Sequence, residues 1–97
     1  MTKLISVRRA NDGKHKYVAE FLMETGRRRR SYFGAEGMDD YTITHDKEQR
    51  ARYRERHGGD LKTNDPTRPG YLSYHLLWGD STSLRRNIAA YRNRFNL

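Results

Sequence analysis

The stretch Tyr17–Phe33, YVAEFLMETGRRRRSYF, decides the fold. Its first half sets Tyr17, Ala19, Phe21 and Met23 at every second position, the period of a strand with one buried face. Val18 and Leu22 alternate with Glu20 and Glu24 on the other face, so this strand is expected to be partly buried on both sides. Thr25-Gly26 then punctuates, and Arg27 to Phe33 reads as a second antiparallel strand. The same two-residue period divides Arg27, Arg28, Arg29 and Arg30 between two faces and leaves at least two of them exposed. Upstream, Lys3 to Arg9 is β-tolerant, and Asn11-Asp12-Gly13 supplies a turn before Tyr17. Residues 1–33 therefore predict a three-stranded antiparallel meander.

The period changes after Phe33. Residues 34–45, bracketed early by Gly34 and Gly37, read as a loop. Asp46 then stands as a helix N-cap with Gln49 three residues on, and Gly58-Gly59 offers a left-handed end to that helix. At 100° per residue Gln49, Arg50, Tyr53 and His57 gather on one side while Arg52 and Arg56 lie near the opposite one. The arginines of this helix are thus not a single stripe. Residues 60–68 read as an exposed connector. Thr67 is expected to cap a short helix with Pro69 in its first turn, carrying Tyr71, Leu72, His75, Leu76 and Trp78 and ending at Gly79. Ser81 or Ser83 opens a last helix in which Leu84, Ile88, Tyr91 and Phe95 form one buried stripe, with Arg85, Arg86, Arg92 and Arg94 outside it. About three helices over residues 46–97, packed on the meander, make one α+β domain spanning 1–97.

Composition narrows the function classes. The chain has 97 residues, a net charge of +8 and 33% charged residues, yet 11% are aromatic and the segments are clearly periodic, which argues against disorder. With 34% hydrophobic residues the core must be small and aromatic-rich, and Trp78 is assigned to it. Absence of cysteine removes disulfides, thiol nucleophiles and cysteine zinc sites. Leu4, Ile5 and Val7 form too short an apolar run before Arg8 and Arg9 for a signal peptide, and no run reaches membrane-helix length. Neither secretion through a signal peptide nor a membrane partner is expected.

The catalytic patterns are weak. His45-Asp46 followed by His57 invites comparison with a metal-dependent nuclease, but capping explains Asp46 better and no second patterned acid accompanies it. Asp39-Asp40 in a glycine-containing loop reads as a turn and cap, and Gly34-Ala35-Glu36-Gly37 lacks the lysine and hydroxyl of a phosphate loop. Tyr32-Phe33-Gly34 alone does not make an RNA-recognition strand. No enzyme, cofactor or metal is expected. The residues carrying an interaction are Arg27, Arg28, Arg29, Arg30, Arg50, Arg52, Tyr53 and Arg56, directed at phosphates or at acidic protein surfaces. Tyr41 and Tyr53 are divided between core edge and interface.

The segments SYFGAEGMDDYTITHDKEQRARYRERH, DPTRPGYLSYHLLWG and YRNRF carry a resemblance. Phe33-Gly34, Asp40-Tyr41, Asp46, Tyr53 with Arg56-His57, Asp65-Pro66, Gly70, Leu77-Trp78 and the final aromatic resemble a family of small uncharacterised basic proteins of large nucleocytoplasmic DNA viruses of algae and protists. The likeness runs roughly from Tyr17 to Phe95. It implies a viral setting, the virion or the interior of an infected host cell. The expected role is that of a minor structural component binding other virion proteins, with genome contact through arginine as the alternative. The family supplies no active site to carry over.

Overall fold

In the computed structural model, which describes residues 1–97, strands β1 (Lys3–Arg9), β2 (His15–Leu22) and β3 (Arg28–Ala35) form one antiparallel sheet in the order β1-β2-β3. The meander is as the two-residue period required. The β2–β3 register pairs Tyr17 with Phe33, Ala19 with Ser31 and Phe21 with Arg29, and a bulge at Ile5 adjusts β1 against β2. One sheet face contributes Leu4, Ala19, Phe21 and Phe33 to the core, where they meet Tyr41, Tyr71, Leu72, Leu76, Leu77, Trp78 and Tyr91. Val18 is buried outside that cluster, which is the two-sided burial expected of β2.

Residues 34–45 are not a plain loop. β3 continues to Ala35, and a single helical turn, α1 (Tyr41–Thr44), follows. Asp40 makes this turn by accepting from the Thr42 backbone N–H at 2.8 Å, and its other carboxylate oxygen accepts from Lys16 Nζ at 2.6 Å. Lys16 and Asp40 are 5% and 1% exposed, so a buried ion pair fastens β2 to the start of α1. Gly34 sits at φ 76°, and a Cβ there would lie 2.7 Å from Leu77 Cδ1. Only glycine lets β3 pass this close to the helical layer.

Helix α2 (Lys47–His57) starts as expected, with the Asp46 carboxylate accepting from the N–H groups of Glu48 and Gln49. Its end differs. Gly58 keeps right-handed helical geometry, and the chain tightens into a 3-10 helix (Gly58–Thr63) whose left-handed cap is Asn64. The 60–68 segment is exposed at Asp60, at Lys62, Thr63 and Asn64 and at Arg68, as expected of a connector, but it is anchored at two points. Leu61 packs against the core and accepts a hydrogen bond from Tyr71 Oη at 2.8 Å, and Thr67 is 3% exposed. Thr67 does not cap the next helix either. Its side chain donates to Asp65 and its carbonyl accepts from Ser31, which leaves Arg68 as the N-cap of α3 (Pro69–Leu72).

α3 runs directly into a π-helical segment, Ser73–Leu77, closed by Trp78 N–H donating to the Ser73 carbonyl. Trp78 leaves helical geometry and ends it, and position 79 must be glycine because a Cβ there would collide with the His75 carbonyl oxygen. Trp78 is 7% exposed and belongs to the core, as its sequence context indicated. Helix α4 (Leu84–Phe95) is capped by Ser83, and Asn87 is buried on it. The Asn87 amide donates to the carbonyls of Leu76 and Ser81 and accepts from Ser81 N–H, tying α4 to the end of the π segment. Arg92 was expected outside. Instead its guanidinium donates to the carbonyl of Leu4 at 3.0 Å and reaches that of Ile5, so α4 clasps the free edge of β1.

The π segment also encloses His75 among the rings of Tyr71, Tyr74, Tyr91 and Phe95, at centroid distances of 5.1 to 6.0 Å. Burial, followed by the charges of Arg94 and Arg54 and against that of Asp80, pushes its pKa down to about 4. Between pH 6.5 and 4 the unfolded chain therefore binds the proton that the native state refuses. Stability from this residue is present above pH 6.5 and lost as pH falls toward 4. Unfolding by urea at pH 7 and pH 4.5 should show a loss on the order of 2 kcal/mol that His75→Gln removes. An equal loss in the variant would assign the pH response to other groups.

Candidate interaction surface

The sheet face turned away from the helices is built in three rungs set by the register. Lys3, Leu22 and Arg28 form one, Ser6, Glu20 and Arg30 the next, and Arg8, Val18 and Tyr32 the third. Directly opposed residues in a sheet share a face, so Lys3, Arg8, Arg28 and Arg30 border a central strip of Val18, Glu20 and Leu22. Glu20 lies beneath the two β3 arginines. Its oxygens accept from Arg28 Nη1 at 3.0 Å and Arg30 Nε at 3.3 Å, and its side chain is 13% exposed against 63% and 60% for the arginines. The hydrogen bond from Arg30 and the nearby Arg28 charge hold the Glu20 carboxyl below its ordinary pKa. Tyr32 and Ile5 are exposed beside this cluster.

The eight residues singled out by sequence fall into distinct environments. Arg27 is exposed in the β2–β3 turn. Arg28 and Arg30 share Glu20. Arg29 is half-buried, and the structure does not bring it to the same surface. Its charge acts on Asp65, whose carboxyl stays below its ordinary pKa because Thr67, Arg68 and Arg29 outweigh the opposing effect of burial. Arg50 is no free contact: it donates to the carbonyls of Gly79 and Asp80 and lies 4.3 Å from the centroid of Tyr41. Tyr53 is likewise internal. It is stacked between Trp78 at 4.4 Å and His57 at 4.2 Å, and burial, with the charge of Asp60, raises its hydroxyl pKa to about 12. Arg52 is exposed on α2, whereas Arg56, expected near the side opposite Gln49, Tyr53 and His57, is exposed but lines the same cleft as those three residues, because seven residues make nearly two full helical turns from Gln49.

The arginine run and α2 do not merge into one basic surface. α2 faces the far end of β3, where Gly34 and Ala35 share a cleft with Tyr53 and Arg56. Arg30 lies about 13 Å of strand away from Gly34. Several participants carried no linear signal. Arg54 donates to the Trp78 carbonyl at 2.9 Å and to Asp80 at 2.9 Å, supporting the end of the π segment much as Arg50 does. Glu20 could have been found, because a hairpin turning at Thr25 sets it opposite Arg30.

The residues considered for catalysis are committed elsewhere. Asp46 caps α2, Asp40 holds Lys16 and α1, and His57 stacks on Tyr53 while its Nδ1 lies 3.2 Å from Asp60. No three His, Cys, Asp or Glu side chains converge where a metal could bind. No helix is long and apolar enough to cross a membrane. The model of a family described as "Family of unknown function (DUF5754)" matches residues 5–57, a span that includes Glu20, Arg28 and Arg30. No curated protein and no solved structure matches the chain.

Proposed function

The chain belongs to DUF5754, a family of unknown function, and from that premise we propose that it is a non-enzymatic interaction module whose open sheet face docks on an acidic protein surface. The observation that carries this reading is the Glu20 carboxylate held between Arg28 and Arg30. It fixes two long side chains before any partner arrives, which lowers the ordering cost of binding. It also sets a negative charge at the centre of the contact. A phosphate backbone meets that carboxylate with repulsion, whereas a protein surface can offer it a donor while pairing its own acids with the arginines. Exposed Tyr32 and Ile5 add the aromatic and apolar area on which protein interfaces draw. The resemblance to virus-encoded proteins makes another component of a virus particle the partner we put first.

Nucleic acid is the second reading, favoured by the net charge of +8 and by Arg27, Arg52 and Arg56, which form no ion pair within the chain. Titration with duplex DNA separates the two. The native chain should bind weakly and lose binding at physiological salt. Glu20→Gln should strengthen binding and steepen the log-log salt slope by about one unit, as two arginines are released toward phosphate. In purified particles Arg28→Gln with Arg30→Gln should reduce incorporation while the chain stays folded. Tight, salt-resistant DNA binding by the native chain would transfer the function to the genome.

A further inference from the structure

The open sheet face has relief as well as charge. Along its middle strand Val18 is buried, Leu22 is half-buried, and the Glu20 side chain is far more covered than those of Arg28 and Arg30 beside it. On the other side Lys3 and Arg8 are exposed on β1. β2 is therefore the floor of a shallow trough whose two walls are basic side chains of the edge strands. The walls stand two strand spacings apart, about 10 Å. An α-helix with its side chains is about 10 to 12 Å wide. An added strand would instead pair at a sheet edge and leave this floor uncovered.

The spacing along the trough matches a helix as well. Arg28 and Arg30 are two residues apart on β3, about 7 Å, and side chains one helical turn apart start about 6 Å from each other. Val18 and Leu22 are four residues apart on β2, about 13 Å, a length that a helix covers in about nine residues. Apolar side chains at the two ends of such a stripe meet Val18 and Leu22, and the position between them comes down on Glu20. A donor is matched there and a carboxylate is repelled, so the pattern discriminates among acidic partners. The helix does not come from a second copy of this chain. α2 carries five Lys or Arg against two Glu, and α4 carries four Arg and no acid, so both repel the walls.

We propose that the trough over β2 receives an amphipathic helix of another protein, laid along the strand with acidic side chains on both flanks and a hydrogen-bond donor at its centre. The inference rests on the reading of this face as a protein-docking surface and adds the shape and charge pattern of what docks.

The probe is a labelled synthetic peptide of about sixteen residues, long enough to overrun the trough, with leucine at i and i+7, lysine at i+4 and glutamate on both flanks. Its fluorescence anisotropy is followed on titration with the full chain. Saturable binding is expected, weakened at least tenfold by Arg28→Gln with Arg30→Gln, by Lys3→Gln with Arg8→Gln, and by exchanging the peptide's lysine for glutamate. All four substituted positions are exposed, and melting curves check that the variants fold. Equal affinity for a peptide of the same composition in shuffled order would overturn the helix and leave only attraction between charges. Failure of the designed peptide to bind, with particle incorporation still reduced in Arg28→Gln with Arg30→Gln, would overturn the helix while the docking reading stands. If that variant changed neither binding nor incorporation, both would fall. Capture of the chain by phosphatidylserine vesicles and not by the peptide would overturn the proposal in favour of a membrane surface.

Discussion

Asp40→Ala should lower the free energy of unfolding by about 3 to 5 kcal/mol, because it strands the Lys16 ammonium in the interior and removes the cap of α1 together. The two causes can be separated. Asp40→Asn keeps a side chain able to accept from Thr42 N–H but cannot pair with a charge. Adding Lys16→Met to it removes the charge that needs pairing, and Met occupies nearly the same path. Chemical denaturation should therefore rank Asp40→Ala lowest, Asp40→Asn next, and the double variant closest to the native chain. A loss below about 1 kcal/mol in Asp40→Ala would mean that water reaches the pair. A double variant no more stable than Asp40→Asn would make capping, not charge, the cause.

The second large effect belongs to Trp78. Truncation to alanine should cost about 3 to 5 kcal/mol, the usual penalty for emptying a buried aromatic site. Domains of this size have about 5 to 15 kcal/mol in all, so the variant stands near the limit of folding. The loss has a specific pattern, since Trp78 also bears the ring of Tyr53 and, through its carbonyl, the guanidinium of Arg54. Trp78→Phe keeps a ring beneath Tyr53 and should retain more than half of the lost stability. An unchanged melting temperature in Trp78→Ala would remove the residue from the core.

Local signals made much of this fold readable. The alternation in β2 is a property of the strand itself, and Asp46 caps its helix through N–H groups two and three residues away, so both are visible in a short window. Trp78 sits in a dense apolar run, which assigned it to the core. What escaped has partners far along the chain. Lys16 reads as a surface cation until Asp40, twenty-four residues on, is brought beside it. Arg50, Arg54 and Arg92 read as exposed charge. In the fold they satisfy carbonyl oxygens that helix ends and a strand edge leave unpaired, a use of arginine that no charge count distinguishes from a phosphate contact. The same blindness affected the candidate site. The register of the hairpin would have been enough to find Glu20 beneath Arg30, but assigning Arg50 and Tyr53 inward required knowing where residues 78–80 return. The π segment had no signature either, since Leu76, Leu77 and Trp78 are all buried and an apolar run of this kind reads the same in an α-helix.

The clasp of Arg92 on the carbonyls of Leu4 and Ile5 spans 88 and 87 positions of sequence. Synthesis proceeds from the amino end, so β1 and its hairpin partner are made while the arginine that caps two carbonyls of their outer edge does not yet exist. During that interval the edge is an open template on which another nascent chain can pair. Arg8 and Arg9 charge its far end, and the Ile5 bulge breaks its regular spacing, both of which discourage such pairing. The helix made last is thus the one that retires a hazard created first. A chain interrupted before α4 would have lost more than its terminal helix, since the carbonyls of Leu4 and Ile5 would stand uncapped on an edge strand.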